Sequence, residues 1–285
     1  MGDTAGTPRT RVLAAALRGA LAESGFTARQ AARLLDKSHS TISQWQNGRR
    51  VPVPEDVSAL LAILRVTGRR RHQILDLAKS ASEPNWLAAG AGVSDRLAGI
   101  LECERTTVEI FDWCPLIISG LVQTSEYANA VIGSNDTLSR AEISSRVNLR
   151  LDRRNQLVNR DGHPADHLLL VGEAALRQRI GGNDVLVEQL RHLVAVSREA
   201  GMTLQVVPLG DNWHPGLMGP FVIYNFAESP SIVSIEHHKS SVFLHENDDV
   251  MTYKRAAGEI RRAAISPEES TAFILDAIKQ MEGKE

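Results

Sequence analysis

Two stretches of this 285-residue chain gather side chains that can do chemistry. Between Ser38 and Asn47 the sequence runs Ser-His-Ser-Thr-Ile-Ser-Gln-Trp-Gln-Asn, rich in hydrogen-bonding groups and free of carboxylates. Wound into a helix, it turns Ile42 and Trp45 to one side and leaves His39, Ser40, Ser43, Gln44 and Asn47 on the other. A helix meant only for solvation carries Glu and Lys on its outer face. Gln and Asn read base edges instead, and Ser or Thr reaches bases or phosphates. The second stretch holds His237, His238 and His245 with Glu236, Glu246, Asp248 and Asp249. Histidines flanked by acids bind zinc or serve as general bases. Here the spacing matches no metal motif, because adjacent histidines on a strand point to opposite faces.

The elements that position the first stretch are helical. Apolar residues at Leu13, Leu17, Ala20 and Leu21 mark a helix over about 10–24, stopped by Gly25. Thr27 and Gln30 form a capping box for a second helix with Ala31, Ala32 and Leu35 inward. After a break at Asp36-Lys37, Ser38 caps a third helix that ends at Gly48. Pro54 opens a fourth, carrying Val57, Leu60, Leu61 and Leu64, and a fifth covers about 70–81. Two short helices with a tight turn, and a small residue (Ala32) at their crossing, make a helix-turn-helix.

Charge separates this head from the rest. Residues 1–80 hold 13 Lys+Arg against 6 Asp+Glu, while the remainder holds 19 against 28. A basic head suits a polyanion, and the acidic body has another task. The length fits about two domains. No run approaches the roughly 20 apolar residues of a bilayer span, and the N-terminus lacks a signal-peptide core. Two cysteines, Cys103 and Cys114, make neither a disulfide framework nor a zinc cluster. A cytoplasmic protein with no metal, no cofactor and no membrane contact is expected.

The body reads as helices around a small mixed sheet, giving an α+β protein with an all-α head of about five helices. The expected organisation is 1–80 for the helix-turn-helix domain, 81–94 for a linker and 95–285 for a regulatory or dimerisation domain. A helix is expected over about 93–113, followed by a buried Pro115-Leu-Ile-Ile. Ser139 and Glu142 cap a long helix to about 159 whose Arg146, Arg150, Arg153 and Arg154 fall on one side. That row is either a salt-bridged surface face or a partner or nucleic-acid contact. Strands are expected at 167–171, 204–207, 221–226, 232–235 and 242–244, a helix at 185–199, and a tail helix opened by Ser266-Pro267-Glu268-Glu269. Trp86 in the linker either packs locally or pins the domains together.

Thr27 to Gly48 resembles, without gaps, the helix-turn-helix of the XRE (xenobiotic response element) family of repressors. Thr27, Ala32, Leu35, Ser38, Ser40-Thr41-Ile42-Ser43 and Gly48 are kept. Ala28 replaces a Gln that often touches a phosphate, and Asp36-Lys37 replaces the usual Gly-Val turn. The resemblance implies base reading by His39, Ser40 and Gln44, and phosphate contacts near Asn47, Arg49 and Arg50. Ser38, Thr41 and Ser43 join these as backbone-contact candidates. Arg69-Arg70-Arg71 is as much a charged helix start as a phosphate contact.

The body is similar to the domain of unknown function that follows helix-turn-helix heads in many actinobacterial regulators. Ile118-Ser-Gly-Leu-Val-Gln-Thr124, Tyr127-Ala128, Gly172-Glu-Ala-Ala-Leu176, Glu188-Gln-Leu-Arg-His-Leu193, Val206-Val-Pro208 and Gly219-Pro-Phe221 carry the likeness. It implies a regulatory or antitoxin-like role with a small protein partner. His237 and Lys239 also form an H-x-K pair like the opening of a phospholipase D signature. Leu244 stands where that signature needs Asp, and no P-loop or G-x-S-x-G is present, so no enzyme is expected. The expectation is a homodimeric, sequence-specific DNA-binding regulator on an inverted-repeat operator, with a small-molecule effector or a protein partner for the body. The alternative is an antitoxin-like adaptor whose DNA binding serves autoregulation.

Overall fold

The computed structural model describes residues 7–81, 86–87, 93–134, 137–158, 165–210, 213–227, 229–236 and 241–283. In chain order the elements are α1 (Pro8–Ser24), α2 (Ala28–Leu34), α3 (His39–Gln46), α4 (Pro54–Ile63), α5 (Gly68–Ser80), β1 (Trp86–Leu87), α6 (Val93–Thr106) and β2 (Glu109–Cys114). There follow α7 (Ser125–Gly133), α8 (Arg140–Val158), β3 (Asp166–Gly172), α9 (Glu173–Arg177), α10 (Asn183–Val196), β4 (Met202–Val207) and β5 (Phe221–Asn225). The chain closes with β6 (Ile232–Glu236), β7 (Ser241–Leu244), α11 (Asn247–Ala263) and α12 (Pro267–Glu282). The fold is α+β, with a helical head followed by mixed helix and sheet, as the periodicity indicates.

Two compact units form, one from residues up to Thr106 together with Phe226–Val250, the other from Thr107–Asn225 and Met251–Glu285. A boundary drawn along the sequence at 80 and 95 has no means to express this, because the β6–β7 segment returns to the head's unit from far down the chain.

In the first unit, α1 begins at a Thr7 cap and stops where Gly25 takes a φ of 73°. The Thr27–Gln30 capping box of α2 is present in both directions. Leu13, Leu17, Ala31, Ala32, Ile42, Trp45, Leu60 and Leu61 form one core. The turn between α2 and α3 puts Asp36 at φ 53°. Asp is among the few residues that tolerate this left-handed region, where Gly is the unstrained choice. The main-chain N–H of Lys37 closes the turn onto the Ala32 carbonyl at 3.0 Å. In the same unit β1, β7 and β6 pair antiparallel in that order.

The second unit is built on β5, β2, β3 and β4 side by side; β2, β3 and β4 run parallel and β5 antiparallel to β2. α7, α8 and α10 provide the crossovers that parallel pairing demands. Leu169, Val171, Leu190, Leu193, Val206 and Ile274 are among its fully buried core.

Two expectations are corrected here. The helix expected over 93–113 ends at Thr106, and Glu109–Cys114 is a strand. Thr106, Thr107 and Val108 are β-branched, and Ile110, Phe111 and Trp113 favour a pleated, doubly covered position. The Pro115-Leu-Ile-Ile run is not wholly buried: Leu116 and Ile117 are 57% and 48% exposed, and only Ile118 is enclosed. The element α11 had no counterpart in the sequence reading. Around the proposed linker, the Trp86 side chain and most of residues 81–94 lie outside the described residues.

Candidate nucleic-acid interface

α3 is a two-turn helix with its two faces sharply divided. Ile42 and Trp45 are 1% and 3% exposed, locked against α1 and α2 in the head core. Opposite them His39, Ser40, Gln44 and Asn47 are exposed and Ser43 is half-buried. The positions i, i+1, i+4, i+5 and i+8 form a continuous polar stripe, and no acidic residue interrupts it. Its side chains match the donor and acceptor patterns of major-groove base edges.

The remaining candidates divide by what their side chains already do. The Ser38 hydroxyl accepts the Thr41 main-chain N–H at 3.0 Å and lies 2.9 Å from the Thr41 hydroxyl. This N-cap fixes the start of α3 and engages both hydroxyls in the helix itself. Asn47 is the C-cap residue, its amide 3.4 Å from the Ser43 hydroxyl. Arg49 and Arg50 follow Gly48, both exposed. Gly48 holds φ 68° and turns the chain so that these two arginines leave the end of α3 rather than continuing it. In the arginine run of α5, Arg70 pairs with Glu23 and Arg71 donates to the Ser58 hydroxyl at 2.8 Å, which makes the two of them internal struts.

One positioning residue escaped the sequence reading. Arg18 of α1 donates to the Gln46 carbonyl at the end of α3 and, at 2.5 Å, to Glu102 of α6. A cation at a helix C-terminus complements the partial negative charge there, and Glu102 in turn receives Arg105 at 2.6 Å. Gln46 lies 28 residues beyond Arg18, so no local pattern could mark the pair.

Residues 12–74 match the family described as "Helix-turn-helix domain". Residues 97–276, more than half of the chain, match "Domain of unknown function (DUF5753)". The chain belongs to the DUF5753 family. No curated protein and no solved structure matches it. Together the two domains make it a DUF5753 protein with a helix-turn-helix head of the DNA-binding kind. Among the described residues no helix is long and apolar enough to cross a membrane.

Within the DUF5753 domain the arginine row of α8 works internally. Arg150 donates to Gln123 Oε1 at 2.8 Å, and Arg154 donates to Glu199 at 2.6 Å. Of that row, Arg154 forms an ion pair and Arg150 a hydrogen bond to a neutral amide, both within the domain. Gln123 donates to the Ile118 carbonyl, while Gln189 spans the Val122 carbonyl and the Thr124 N–H. The Ile118–Thr124 segment is thereby a hydrogen-bonded loop, held from within by Gln123 and from outside by Gln189 of α10.

Ser119 in that loop donates to Asp112, which is 3% exposed. Cys114 approaches the same carboxylate at 3.2 Å, and His167 Nε2 lies 3.5 Å away, an ion-pair distance rather than a well-formed hydrogen bond. Burial pushes the Asp112 carboxyl up, but the His167, Ser119 and Cys114 contacts outweigh it and hold the group below the ordinary Asp value. The serine hydroxyl bonds the carboxylate and not the imidazole, so this is not the relay that activates a nucleophile. His237 and His238 lie outside the described residues. His245 is placed 3.9 Å from Glu246, and burial lowers its basicity. Among the described residues no group of three or more His, Cys, Asp or Glu side chains is placed to hold a metal ion.

Proposed function

We propose that this protein is a sequence-specific DNA-binding transcriptional regulator of XRE type, cytoplasmic, non-catalytic and homodimeric. One observation carries the proposal: the exposed, carboxylate-free face of α3, presented by a helix whose other face is clamped by Ile42 and Trp45. His39, Ser40 and Gln44 read bases; Ser43, Asn47, Arg49 and Arg50 contact the phosphates, with Ser38 and Thr41 beside them. Phosphate contacts supply affinity and salt dependence, and α3 supplies choice of sequence. A single α3 reads only a few base pairs, so two copies on an inverted repeat are needed for useful specificity. The DUF5753 domain is assigned the pairing of copies and the response to an effector or a small protein partner, a coupling on the order of 1–3 kcal/mol.

The test is selection from random duplex DNA by the purified full-length protein. The expected product is an inverted repeat whose half-sites lie about 34 Å apart or a multiple of that. Recovery of unselected sequence at physiological salt, with Gln44→Ala indistinguishable from wild type, overturns the proposal.

A further inference from the structure

The DUF5753 domain contains a cavity of about 370 Å³ that no part of the DNA-binding reading uses. It opens at the carboxyl ends of three adjacent parallel strands, lined by Trp113 and Pro115 at the end of β2, Gly172 and Glu173 at the end of β3, and Val207 and Pro208 at the end of β4. In open α/β sheets the crevice outside the carboxyl ends of the strands is where ligands bind, and the volume falls in the range of small-molecule pockets.

Its walls are built rather than left over. The Trp113 indole N–H donates to the Gly216 carbonyl at 2.9 Å, and its ring meets His214 edge-on at 5.9 Å. A Cβ on Gly216 would sit 2.8 Å from His214 and 2.9 Å from Trp113, so only glycine lets that strap close on the ring. Likewise a Cβ on Gly172 would meet the Pro115 carbonyl oxygen at 2.6 Å. Glu173 accepts the Leu209 main-chain N–H at 2.9 Å and Arg177 Nε at 2.7 Å, which ties the β4 exit loop to the start of α9.

Two further observations define the occupant. Leu116, Leu209 and Leu217, which line the cavity, are 57%, 68% and 62% exposed; Ile117 and Met218, next to two of them, and Trp213, next to the lining His214, are 48%, 83% and 69% exposed. A soluble domain does not ordinarily collect large apolar side chains around one opening without a use for them. Among the described residues the lining contains no Lys or Arg, and its carboxylate, Glu173, is already held by Arg177 and the Leu209 N–H, so it offers no free charge to a ligand. A phosphate or carboxylate ligand would find no counter-charge there.

We propose that this cavity binds a small, predominantly apolar, uncharged organic molecule, and that it is the effector site of the domain. That the ligand is an effector rests on the regulator reading above; that the cavity binds a ligand does not, and the experiment below tests the binding without DNA.

N-phenyl-1-naphthylamine, a neutral fluorescent probe of suitable size, tests this in the absence of DNA. Its anionic relative 1-anilinonaphthalene-8-sulfonate serves as the charge control. The full-length protein is expected to bind the neutral probe saturably at one equivalent, and the sulfonate at least tenfold more weakly. Ala174→Trp, which fills the cavity, and Leu217→Glu, which charges its mouth, are each expected to lower affinity for the neutral probe at least tenfold. Leu217 is exposed, so its variant keeps the test sound if Ala174→Trp fails to fold. Non-saturable binding, equal affinity for the sulfonate, or unchanged affinity in Leu217→Glu overturns the proposal. So does absence of probe binding together with a change of oligomeric state in Leu217→Glu, which would assign the surface to a second copy of the chain.

Discussion

Gln44 and Arg50 stand a few residues apart and are expected to fail in different ways. Gln44 projects from the middle of the exposed α3 face. Its replacement by Ala is expected to cost about 1–3 kcal/mol on the selected operator and to relax one base position. Arg50 lies past the helix end and is assigned to phosphate in the proposed docking. Arg50→Ala is expected to weaken all duplexes alike and to make the slope of log affinity against log salt shallower by about one unit. Titrations of both variants on operator and scrambled DNA at several salt concentrations separate the two roles. Trp45, on the opposite side, belongs to folding. Trp45→Ala is expected to lose about 3–5 kcal/mol. Its indole N–H is buried with no hydrogen-bond acceptor among the described residues, so Trp45→Phe keeps most of the packing and removes an unsatisfied donor. Urea unfolding of the two variants is expected to place Phe well above Ala, and equal losses would show that packing around α3 is not what holds it. The exposure of Gln44 and the burial of Trp45 were legible from spacing because they depend on which side of one helix a residue occupies.

At the level of elements, the turn between α2 and α3 offers the sharpest test. Sequence comparison with the XRE pattern marks Asp36-Lys37 as a departure from Gly-Val, and the structure shows the consequence in a left-handed Asp36. Left-handed backbone costs a residue with a Cβ on the order of 1 kcal/mol, although Asp bears it better than most. Asp36→Gly is therefore expected to raise stability by up to about 1 kcal/mol without moving α3, read as a higher unfolding midpoint with unaltered operator affinity. A lower midpoint would show that the Asp side chain supports the turn. Capped helices such as α2, α8 and α12 were legible because capping is a contact between residues three apart. The strand β2 was not. Its neighbours β3 and β5 begin more than 50 and 100 residues later, and its inward Asp112 breaks the apolar pattern that marks a buried strand.

Across the whole molecule, the buried Asp112 links folding to pH. The unfolded chain holds an aspartate near its ordinary value of about 3.9, and the folded protein holds Asp112 below its ordinary value. The unfolded state thus takes up more protons as acid is added. Stability from this group is present above about pH 4 and is lost as the pH falls through the lower folded value. Asp112→Asn is expected to be less stable than wild type at neutral pH and to lose less on acidification from about pH 5 to pH 2, as measured by urea midpoints. Parallel losses in both proteins would remove Asp112 from the acid response. Neither the cluster around Asp112 nor the apolar-mouthed cavity stood out in the sequence, because Asp112, Ser119 and His167 come from separate elements.

The amino-acid order alone determined what depends on near neighbours: the five-helix head, the caps, the polar and apolar faces of α3, and the charge difference between head and body. Each rests on contacts within about four residues or on composition, both of which the chain states directly. Only tertiary structure decided that β2 is a strand, that the α8 arginines turn inward, that Arg18 braces the end of α3, and that three parallel strand ends enclose a cavity. Those outcomes depend on partners tens of residues apart, and which distant groups meet is set by the packing of whole elements rather than by the local spacing of their side chains.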